Sequence, residues 1–322
     1  MSQDESQSLV TLEDIERAAV ATAPHVHRTP VTGSSYLGDR LGVEMYLKLE
    51  MFQRTGSFKP RGVLNRIAGL SPEDLAKGVV SFSSGNHAQA LAYAASMMGA
   101  PSTVVMPAGA VRAKVDATCG YGGEVVLTDA DLLQTAMDIQ RERGLTLIHP
   151  FDHPDTIAGT GTLGLEVLED VPAPDVVICG VGGGGLISGV AAALKLTNPA
   201  IRVIGVEPDG APGMTLALET GKPVHLDRLD TVADGLAAPF AGRHNIAHVN
   251  AFVDDVVTVD DSTIVDAMGT ILERGKVLAE PAAASTYAAL LAGKVRLSRG
   301  ETVVCVLSGG NIDRARLAQL LT

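Results

Sequence analysis

The sequence predicts an α/β fold with two lobes, each built on an open, twisted and mostly parallel sheet with flanking helices. Short runs rich in valine and isoleucine alternate along the chain with stretches at helical spacing. Glycine-rich and polar motifs directly follow three of these runs, and no segment repeats at a fixed period. Strands that alternate with helices favour parallel sheets covered by helices on both faces.

The elements can be placed along the chain in order. The predicted strands are 43–50, 79–84, 102–107, 124–128, 145–150, 175–181, 202–208, 256–259 and 302–308. The predicted helices are 86–98, 111–119, 130–143, 157–169, 185–196, 261–274, 281–293 and 312–321. Four strands fall between residues 79 and 150, so we expect a small domain at 75–151 inserted into a large domain made of 1–74 and 152–322.

Composition excludes several classes of protein. The 322 residues carry a formal net charge of -12 and no basic run, so we expect no nucleic-acid partner. Glycine clusters interrupt the longest apolar runs, so no membrane span is expected. The acidic N-terminus lacks the features of a secretory signal, which predicts a cytoplasmic protein. Cys119, Cys179 and Cys305 lie far apart and indicate neither a disulfide framework nor a metal cluster.

The stretch GVGGGGL at 180–186 follows a predicted buried strand and opens a predicted helix. Consecutive glycines leave the backbone N–H groups unshielded, and a helix N-terminus favours an anion. Gly180, Gly182 and Gly185 also satisfy the spacing of a dinucleotide fingerprint, with Glu207 near its acidic position. A phosphate site, a dinucleotide site and close packing without a ligand therefore all remain open.

Three further motifs carry polar chemistry. In GSFKPRG, Lys59 stands between Phe58 and Pro60 at a predicted loop–helix boundary, where its amine can attack a carbonyl or remain a solvated charge. The turn SSGNH at 83–87 offers donors to a carboxylate, or merely caps a helix. Ser308 ends a strand and places a neutral hydroxyl at a corner. Together with a phosphate cradle, these parts suit pyridoxal phosphate and an amino acid.

The motifs SFKPRGVLN, SSGNHAQALA, HPFDHPDTIAGTGT, GVGGGGLISG, ADGLA and LSGGN occur in this order. From about residue 10 to 320, the sequence resembles the threonine/serine dehydratases, which are pyridoxal-phosphate enzymes of fold type II and close relatives of serine racemases. The resemblance implies an ammonia-lyase that eliminates the β-hydroxyl of L-threonine or L-serine to give a 2-oxo acid and ammonia. Alternatives are a serine racemase, a 3-hydroxyaspartate dehydratase, an enzyme of β-replacement, or a nucleotide-binding or catalytically silent regulatory protein.

The resemblance also implies a role for each motif. Lys59 would hold the cofactor as a Schiff base and remove the Cα proton, and Ser84 is a second candidate catalytic residue, able to protonate the opposite face in a racemase. The cofactor-binding residues would be Phe58, Lys59, Asn86, Gly182, Gly183, Gly184, Gly185 and Ser308. The substrate-binding residues would be Ser83, Ser84, Asn86, His87 and Glu280. Phe151 favours a dehydratase over a racemase, which often has a polar residue there.

Two departures from the family pattern bear on ligands and regulation. The family's site for a divalent cation would use Glu207 and Ala211, but Gly213 replaces its aspartate, so a divalent or monovalent cation is a weak expectation. Thr160 stands where the family often has glutamine. The resemblance further implies a homodimer or homotetramer. Because the chain ends soon after the last motif, we expect no C-terminal regulatory domain.

Overall fold

The computed structural model describes residues 8–322. Its helices are α1 (Leu12–Thr22), α2 (Ser35–Asp39), α3 (Lys59–Ala68), α4 (Pro72–Lys77), α5 (Asn86–Met97), α6 (Arg112–Gly120), α7 (Leu132–Arg143), α8 (Pro154–Asp170), α9 (Gly185–Thr197), α10 (Gly213–Thr220), α11 (Arg243–Phe252), α12 (Asp261–Thr270), α13 (Pro281–Leu291) and α14 (Arg314–Leu321). Its strands are β1 (Val31–Gly33), β2 (Glu44–Leu49), β3 (Val79–Phe82), β4 (Ser102–Pro107), β5 (Glu124–Thr128), β6 (Thr146–Leu147), β7 (Val176–Gly180), β8 (Arg202–Pro208), β9 (Asp255–Val259) and β10 (Thr302–Leu307). Short 3₁₀ turns lie at Glu50–Phe52, Arg54–Gly56 and Asp234–Leu236, and a π-helical turn at Ile271–Gly275.

The strands form two separate sheets. One has six strands in the order β1-β2-β10-β7-β8-β9, and the other has four in the order β5-β4-β3-β6. Every pair is parallel except β1 with β2. The predicted fold class is therefore confirmed. All strands of the four-stranded sheet come from 79–147, whereas the domain boundaries at 75 and 151 stay a prediction.

The central strands of the larger sheet are buried on both faces. Along β10, Val303, Cys305 and Leu307 belong to one apolar cluster, and Val304 and Val306 belong to another on the opposite face. This alternation follows from the two-residue period of a strand, and helices cover both faces. Within residues 8–322, we find no helix whose length and apolar character would let it cross a bilayer.

Several predicted boundaries shift, and several elements were not predicted. The helix predicted at 312–321 begins at Arg314, because Asp313 caps it by accepting from the N–H of Arg316. The helix predicted at 261–274 gives way to the π-helical turn after Thr270. The short β1 and the polar α11 escaped prediction because three residues show no clear alternation and a polar helix shows little apolar periodicity.

A buried ionic network fixes the start of α3. Arg61 is fully buried, and its guanidinium donates to Glu50 at 2.8 and 2.9 Å and to Glu166 at 2.7 and 2.9 Å. Lys48 Nζ donates to Glu166 at 2.5 Å. These four residues, hereafter the Arg61 network, join β2, the following 3₁₀ turn, α3 and α8. They thereby set the position of Lys59, two residues before Arg61.

Candidate active site

Several of the predicted site residues lie where strands end. β10 and β7 are neighbours in the larger sheet, so Ser308 and the glycine loop 182–185, which follow them, emerge side by side. The turn 83–86 follows β3 in the smaller sheet. Carboxyl ends of parallel strands, where loops meet helix N-termini, are the usual ligand-binding edge of such sheets.

Lys59 is the first residue of α3 and is only partly exposed to solvent. Its Nζ donates to the carbonyl oxygen of Pro150 at 3.2 Å and lies 5.1 Å from the centroid of the Phe58 ring. Burial lowers the pKa of Lys59 to about 8, and the charge of Glu280 opposes that effect. A substantial fraction of the amine is therefore neutral near pH 8, which both nucleophilic attack and proton abstraction require.

Backbone bonds fasten the Lys59 loop to the loop that follows β10. The N–H of Phe58 donates to the carbonyl of Ser308 at 3.0 Å, and the N–H of Gly310 donates to Gly56 at 3.0 Å. The N–H of Glu280 donates to the carbonyl of Gly309 at 3.0 Å. Three predicted site residues that are far apart in sequence, namely Lys59, Glu280 and Ser308, are thus held in one framework.

Glu280 is a buried carboxylate at the centre of a polar network. Its carboxylate accepts from Asn86 Nδ2 at 2.8 Å and from the N–H of Asn311 at 3.1 Å. Asn311 Nδ2 donates in turn to Asn86 Oδ1 at 2.8 Å and to the carbonyl of Thr55 at 2.7 Å. Burial raises the pKa of Glu280 to about 7, although the hydrogen bond from Asn86 counteracts that rise. This carboxyl group therefore changes charge near neutral pH.

The turn before α5 leaves its helix start open to a ligand. Gly85 is the N-cap and offers no side chain, while Ser83 Oγ accepts from the N–H of Gly85 at 3.1 Å. Capping by Ser83 or Ser84, the alternative that the sequence left open, does not occur. The first N–H groups of α5 have no acceptor within their own helix, so they suit a carboxylate.

His87 contributes to the site as a neutral side chain. The single hydroxyl proton of Ser81 is donated to the carbonyl of Ile148 at 2.6 Å. Ser81 Oγ is therefore the acceptor in its 2.9 Å contact with His87 Nε2, and Nε2 is the donor. Burial lowers the pKa of His87 well below its usual value, and the charge of Lys59 adds to this effect. Its Nδ1 is an unprotonated acceptor, so the backbone N–H is the group of His87 that can meet a carboxylate.

The glycine loop has no room for side chains. A Cβ at Gly183 would lie 2.5 Å from the ring of Phe151, and one at Gly185 would lie 2.9 Å from the Cβ of Phe151. Gly184 has a φ of +97°, which favours glycine, and a Cβ there would lie 2.7 Å from that of Asn245. Only bare backbone fits here, at the N-terminus of α9, as a phosphate cradle requires.

Pro150 and Phe151 connect Lys59 with the glycine loop. Pro150 accepts from Lys59, and the next residue, Phe151, lies against the glycine loop. Phe151 also makes edge contacts with His149 and Phe240, with ring centroids 4.6 and 5.7 Å apart. The sequence showed Phe151 only as a mark of family type, and nothing in it revealed Pro150 as the partner of Lys59.

Glu207 and Thr160 have structural roles. The Glu207 carboxylate accepts from the N–H groups of Met214 and Thr215 at 2.6 and 2.9 Å and so caps α10. Among residues 8–322 no group of three or more histidine, cysteine or acidic side chains could hold a metal ion, and the cation site at Glu207 and Ala211 stays a prediction. Thr160 Oγ1 donates to the carbonyls of Ile157 and Gly185, which fastens α8 to the start of α9.

These residues fit pyridoxal phosphate. The cofactor needs an amine for its aldehyde, a cradle for its phosphate and an apolar surface for its ring. Lys59 supplies a partly neutral amine, the glycine loop supplies backbone with no space for a Cβ, and Phe58 supplies an aromatic ring. The same loop would serve a dinucleotide less well, because Glu207 already accepts three hydrogen bonds.

Comparison with known proteins agrees with this geometry. Residues 22–309 match the family model described as pyridoxal-phosphate dependent enzyme. The chain is 44% identical over 308 residues to the L-threonine ammonia-lyase of Thermotoga maritima, covering 95% of this chain and 76% of the relative. It is 41% identical over 315 residues to the L-threo-3-hydroxyaspartate ammonia-lyase of Saccharomyces cerevisiae, covering 97% and 96%.

A solved structure confirms the fold. Maize serine racemase superimposes with a TM-score of 0.93 at 41% sequence identity, covering 97% of each chain. The resemblance inferred from the ordered motifs is thereby confirmed, and pyridoxal phosphate is the cofactor of the matched family. The chain belongs to the family of pyridoxal-phosphate dependent enzymes.

Proposed function

We propose that this protein is an L-threonine/L-serine ammonia-lyase, which converts the amino acid to a 2-oxo acid and ammonia. The observation that carries the proposal is the position of Lys59, whose amine has a pKa of about 8 and lies in one framework with Glu280 and Ser308. An amine at this position is suited to remove the proton from the Cα of a bound amino acid.

The cofactor's place follows from the contacts described above. The phosphate is proposed to lie on the N–H groups of the glycine loop, and the aldehyde carbon at Lys59. Phe58 would lie along the ring and Asn86 beside the ring oxygen. Bound pyridoxal phosphate supplies an electron sink for the electrons left when the Cα proton departs. The remaining steps depend on how the chain's own residues hold and move protons.

Ser308 favours elimination over reactions that need a long-lived carbanion. It directly follows β10 and is proposed to face the ring nitrogen with a neutral hydroxyl. A carboxylate in that place would hold the nitrogen protonated, and a hydroxyl does not. A weaker electron sink suffices when the β-hydroxyl leaves promptly, as it does in ammonia-lyases.

The carboxylate of the substrate is proposed to bind at the start of α5. Ser83, Ser84 and the N–H groups of Asn86 and His87 would be its donors, and the positive end of the helix dipole favours the anion there. Because His87 is neutral, recognition depends on these hydrogen bonds and on the helix, not on a charged histidine.

The charges near Glu280 favour substrates with uncharged side chains. Lys114 of α6 lies 3.9 Å from Asp234, and both charges act on Glu280, which places them near the site. A β-carboxylate, as in 3-hydroxyaspartate, would add a negative charge near Asp234 and the buried Glu280, whereas the side chain of threonine or serine would not. The proposal therefore ranks threonine and serine above 3-hydroxyaspartate, although relatives of each kind share similar identity with the chain.

A substrate panel tests the proposal directly. The purified holoenzyme is given L-threonine, L-serine or L-threo-3-hydroxyaspartate, and 2-oxo acid and D-serine are measured in parallel. We expect kcat/KM for threonine or serine to exceed that for hydroxyaspartate at least tenfold, because hydroxyaspartate brings a second carboxylate into the site. Preference for hydroxyaspartate would contradict the ranking, and D-serine without pyruvate would contradict the lyase assignment.

Serine racemase is the second candidate because Ser84 stands at the open helix start. If Ser84 supplies a proton to the face opposite Lys59, Ser84→Ala will lower D-serine formation roughly 100-fold or more, the scale of a lost general acid. Pyruvate formation will then change only a few-fold. Equal loss of both products would show instead that Ser84 serves substrate binding alone.

Glu280→Gln is expected to remove an ionisation from the pH profile. Glu280, with a pKa of about 7, accepts from Asn86 best when it is ionised, so wild-type kcat/KM should fall as the pH drops below about 7. Glutamine stays neutral and cannot accept from Asn311 with its amide nitrogen. The variant should therefore be roughly tenfold less active, and its profile should lose the slope that Glu280 adds near pH 7 while it keeps the one that Lys59 sets near pH 8. An unaltered acid limb in the variant would exclude Glu280 as its origin.

We also propose that the enzyme is a homo-oligomer in the cytoplasm. Tyr36 and Phe52 expose large apolar surfaces, which suits a subunit interface, and the free thiol of Cys119 suits a reducing compartment. Light scattering is expected to give two or four times the chain mass of 33.3 kDa. A mass of one chain at the working concentration of the enzyme would contradict the proposed homo-oligomer.

A further inference from the structure

The carbonyl of Gly183 is held by two donors from the start of α11. It accepts from the N–H of Gly242 at 3.1 Å and from the Asn245 side-chain Nδ2 at 2.9 Å. The same Nδ2 donates to the carbonyl of Phe151 at 3.2 Å. Asn245 is fully buried, so water does not compete for these bonds. One side-chain amide therefore joins the glycine loop to the segment that follows Pro150.

The orientation of this carbonyl sets the orientation of a glycine-loop amide. In a planar trans peptide, the C=O of one residue and the N–H of the next point in opposite directions. Because the carbonyl of Gly183 points at α11, the N–H of Gly184 points away from α11. Gly184 has a φ of +97° and caps α9, and Asn245 lies so near that a Cβ on Gly184 would be 2.7 Å from its Cβ, so there is little space beside this peptide. The hydrogen bond from Asn245 thus selects which way one donor of the cradle faces.

The direction of the Asn245 amide is fixed by its surroundings. If its oxygen and nitrogen were exchanged, an oxygen would face the carbonyls of both Gly183 and Phe151. The existing orientation leaves Oδ1 buried without a hydrogen-bond partner among the described residues, which has an energetic cost. The compensating gain is the donor Nδ2, which neither an aspartate nor an aliphatic side chain would provide.

The start of α11 is itself anchored, so Asn245 acts from a fixed point. The Asp152 carboxylate accepts from the N–H groups of Arg243 and His244 at 3.0 and 2.9 Å. Asp152 follows Phe151 and lies two residues after Pro150, the acceptor of Lys59. The α11 N-terminus therefore contacts both the glycine loop and the segment that follows Pro150, and Asn245 is its side chain that reaches the glycine loop.

We propose that Asn245 is a positioning residue for the cofactor phosphate, which orients the N–H groups of the glycine loop toward it. This inference rests on the proposed placement of the phosphate on that loop. Asn245 does not touch the phosphate, so its removal weakens the recognition of phosphate without removing the amine that holds the aldehyde. The effect must therefore depend on whether the ligand carries a phosphate.

The experiment compares pyridoxal phosphate with pyridoxal, which lacks the phosphate. Apoenzyme is titrated with each compound, and the Kd is measured from the visible absorbance of the bound form. We expect Asn245→Ala to raise the Kd of pyridoxal phosphate roughly tenfold, as for the loss of one or two hydrogen bonds. The Kd of pyridoxal should change less than about twofold. Asn245→Asp should weaken pyridoxal phosphate further, because it removes the donor at constant size and adds negative charge.

Two further variants test whether the effect on pyridoxal phosphate is specific to the glycine loop. Asn65 Nδ2 also donates to a backbone carbonyl, that of Asp155 at 2.8 Å, but it lies on α3 away from the glycine loop, so Asn65→Ala should leave the preference for pyridoxal phosphate unchanged. Gly184→Ala should reduce that preference, since its backbone conformation and space do not suit a Cβ. If Asn245→Ala does not fold, Asn245→Asp and Asn245→Ser provide the same comparison.

The outcomes test the positioning role of Asn245 and the placement of the phosphate separately. A selective loss for pyridoxal phosphate in the Asn245 variants supports the positioning role. An equal loss for both compounds, or no loss, overturns it and leaves Asn245 a structural residue. If Gly184→Ala keeps the full preference, the phosphate does not lie on the glycine loop, and the proposed placement fails independently of Asn245.

Discussion

Replacing Lys59 by alanine is expected to lower 2-oxo acid release from L-threonine by roughly 10⁴-fold. The amine is proposed both to hold the cofactor aldehyde and to accept the Cα proton, and alanine removes both functions. The pKa of about 8 matters here, because an amine with the ordinary lysine pKa would be almost fully protonated at neutral pH. The measurement is kcat/KM in a coupled 2-oxo acid assay, together with the cofactor retained after extensive dialysis.

Two controls keep that experiment interpretable. Lys59→Arg retains the positive charge but cannot hold an aldehyde, so it should be as inactive as the alanine variant. Lys77→Ala removes an exposed lysine that pairs with Glu73 at 2.7 Å, and its activity should stay within about twofold of wild type. Compared as apoenzymes, both Lys59 variants should unfold at nearly the wild-type denaturant concentration, because a bound cofactor would itself add stability. A Lys59→Ala enzyme with a tenth of wild-type activity would rule out the proposed base.

The sequence was sufficient for most of the fold because the elements that decide it are strongly patterned. The run predicted as a strand at 175–181 forms β7 at Val176–Gly180, and the run at 302–308 forms β10 at Thr302–Leu307. Both are continuous apolar runs followed by glycines, which is typical of buried parallel strands. Pairing order could not be derived, because β10 near the C-terminus pairs with β2 near the N-terminus and with β7 in the middle of the chain, and such contacts depend on the whole sheet.

The site could be predicted as a set of residues but not as a network. Asn86 and Glu280 were both candidates, yet their hydrogen bond spans 194 positions along the chain and leaves no trace in local spacing. Asn311 was not among the predicted site residues, yet its side chain donates to Asn86 and to the carbonyl of Thr55. The catalytic and binding roles of these residues stay predictions that the proposed variants test.

Asn245 shows why some functional residues escape sequence reasoning. It lies in α11, whose sequence RHNIAHVNAF shows little apolar periodicity, and no glycine, proline or motif marks it. Its importance comes from facing the carbonyls of Gly183 and Phe151, 62 and 94 positions away. A buried asparagine becomes interpretable only when the groups that its amide meets are known.

Arg61→Leu is expected to destabilise the protein by about 3–5 kcal/mol, the largest stability effect that we predict for a single side chain. The guanidinium is fully buried and makes paired contacts with the carboxylates of Glu50 and Glu166. Leucine fills much of the volume but leaves Glu50, which is also fully buried, without its cation. The free energy of unfolding is measured by urea denaturation of the holoenzyme, with Arg17→Ala as the control.

Arg17 is a suitable control because it pairs with two acidic residues as Arg61 does, but at the surface. It contacts Glu13 and Asp14 with 63% of its side chain exposed, so its loss should cost less than about 1 kcal/mol. A comparable cost for Arg17→Ala and Arg61→Leu would mean that burial does not decide the strength of these pairs.

The pH dependence distinguishes loss of the ion pair from simple loss of packing. In the wild type, Arg61 holds the pKa of Glu50 below its usual value despite burial, so Glu50 contributes stability above the unfolded pKa of about 4.3 that is lost as pH falls through the lower folded pKa. In Arg61→Leu, burial is less opposed, and the pKa of Glu50 should rise above its unfolded value. The folded variant then binds more protons than the unfolded chain, and its stability falls as pH rises. The difference from wild type should therefore grow between pH 4 and pH 7, whereas a packing defect alone would give a difference independent of pH.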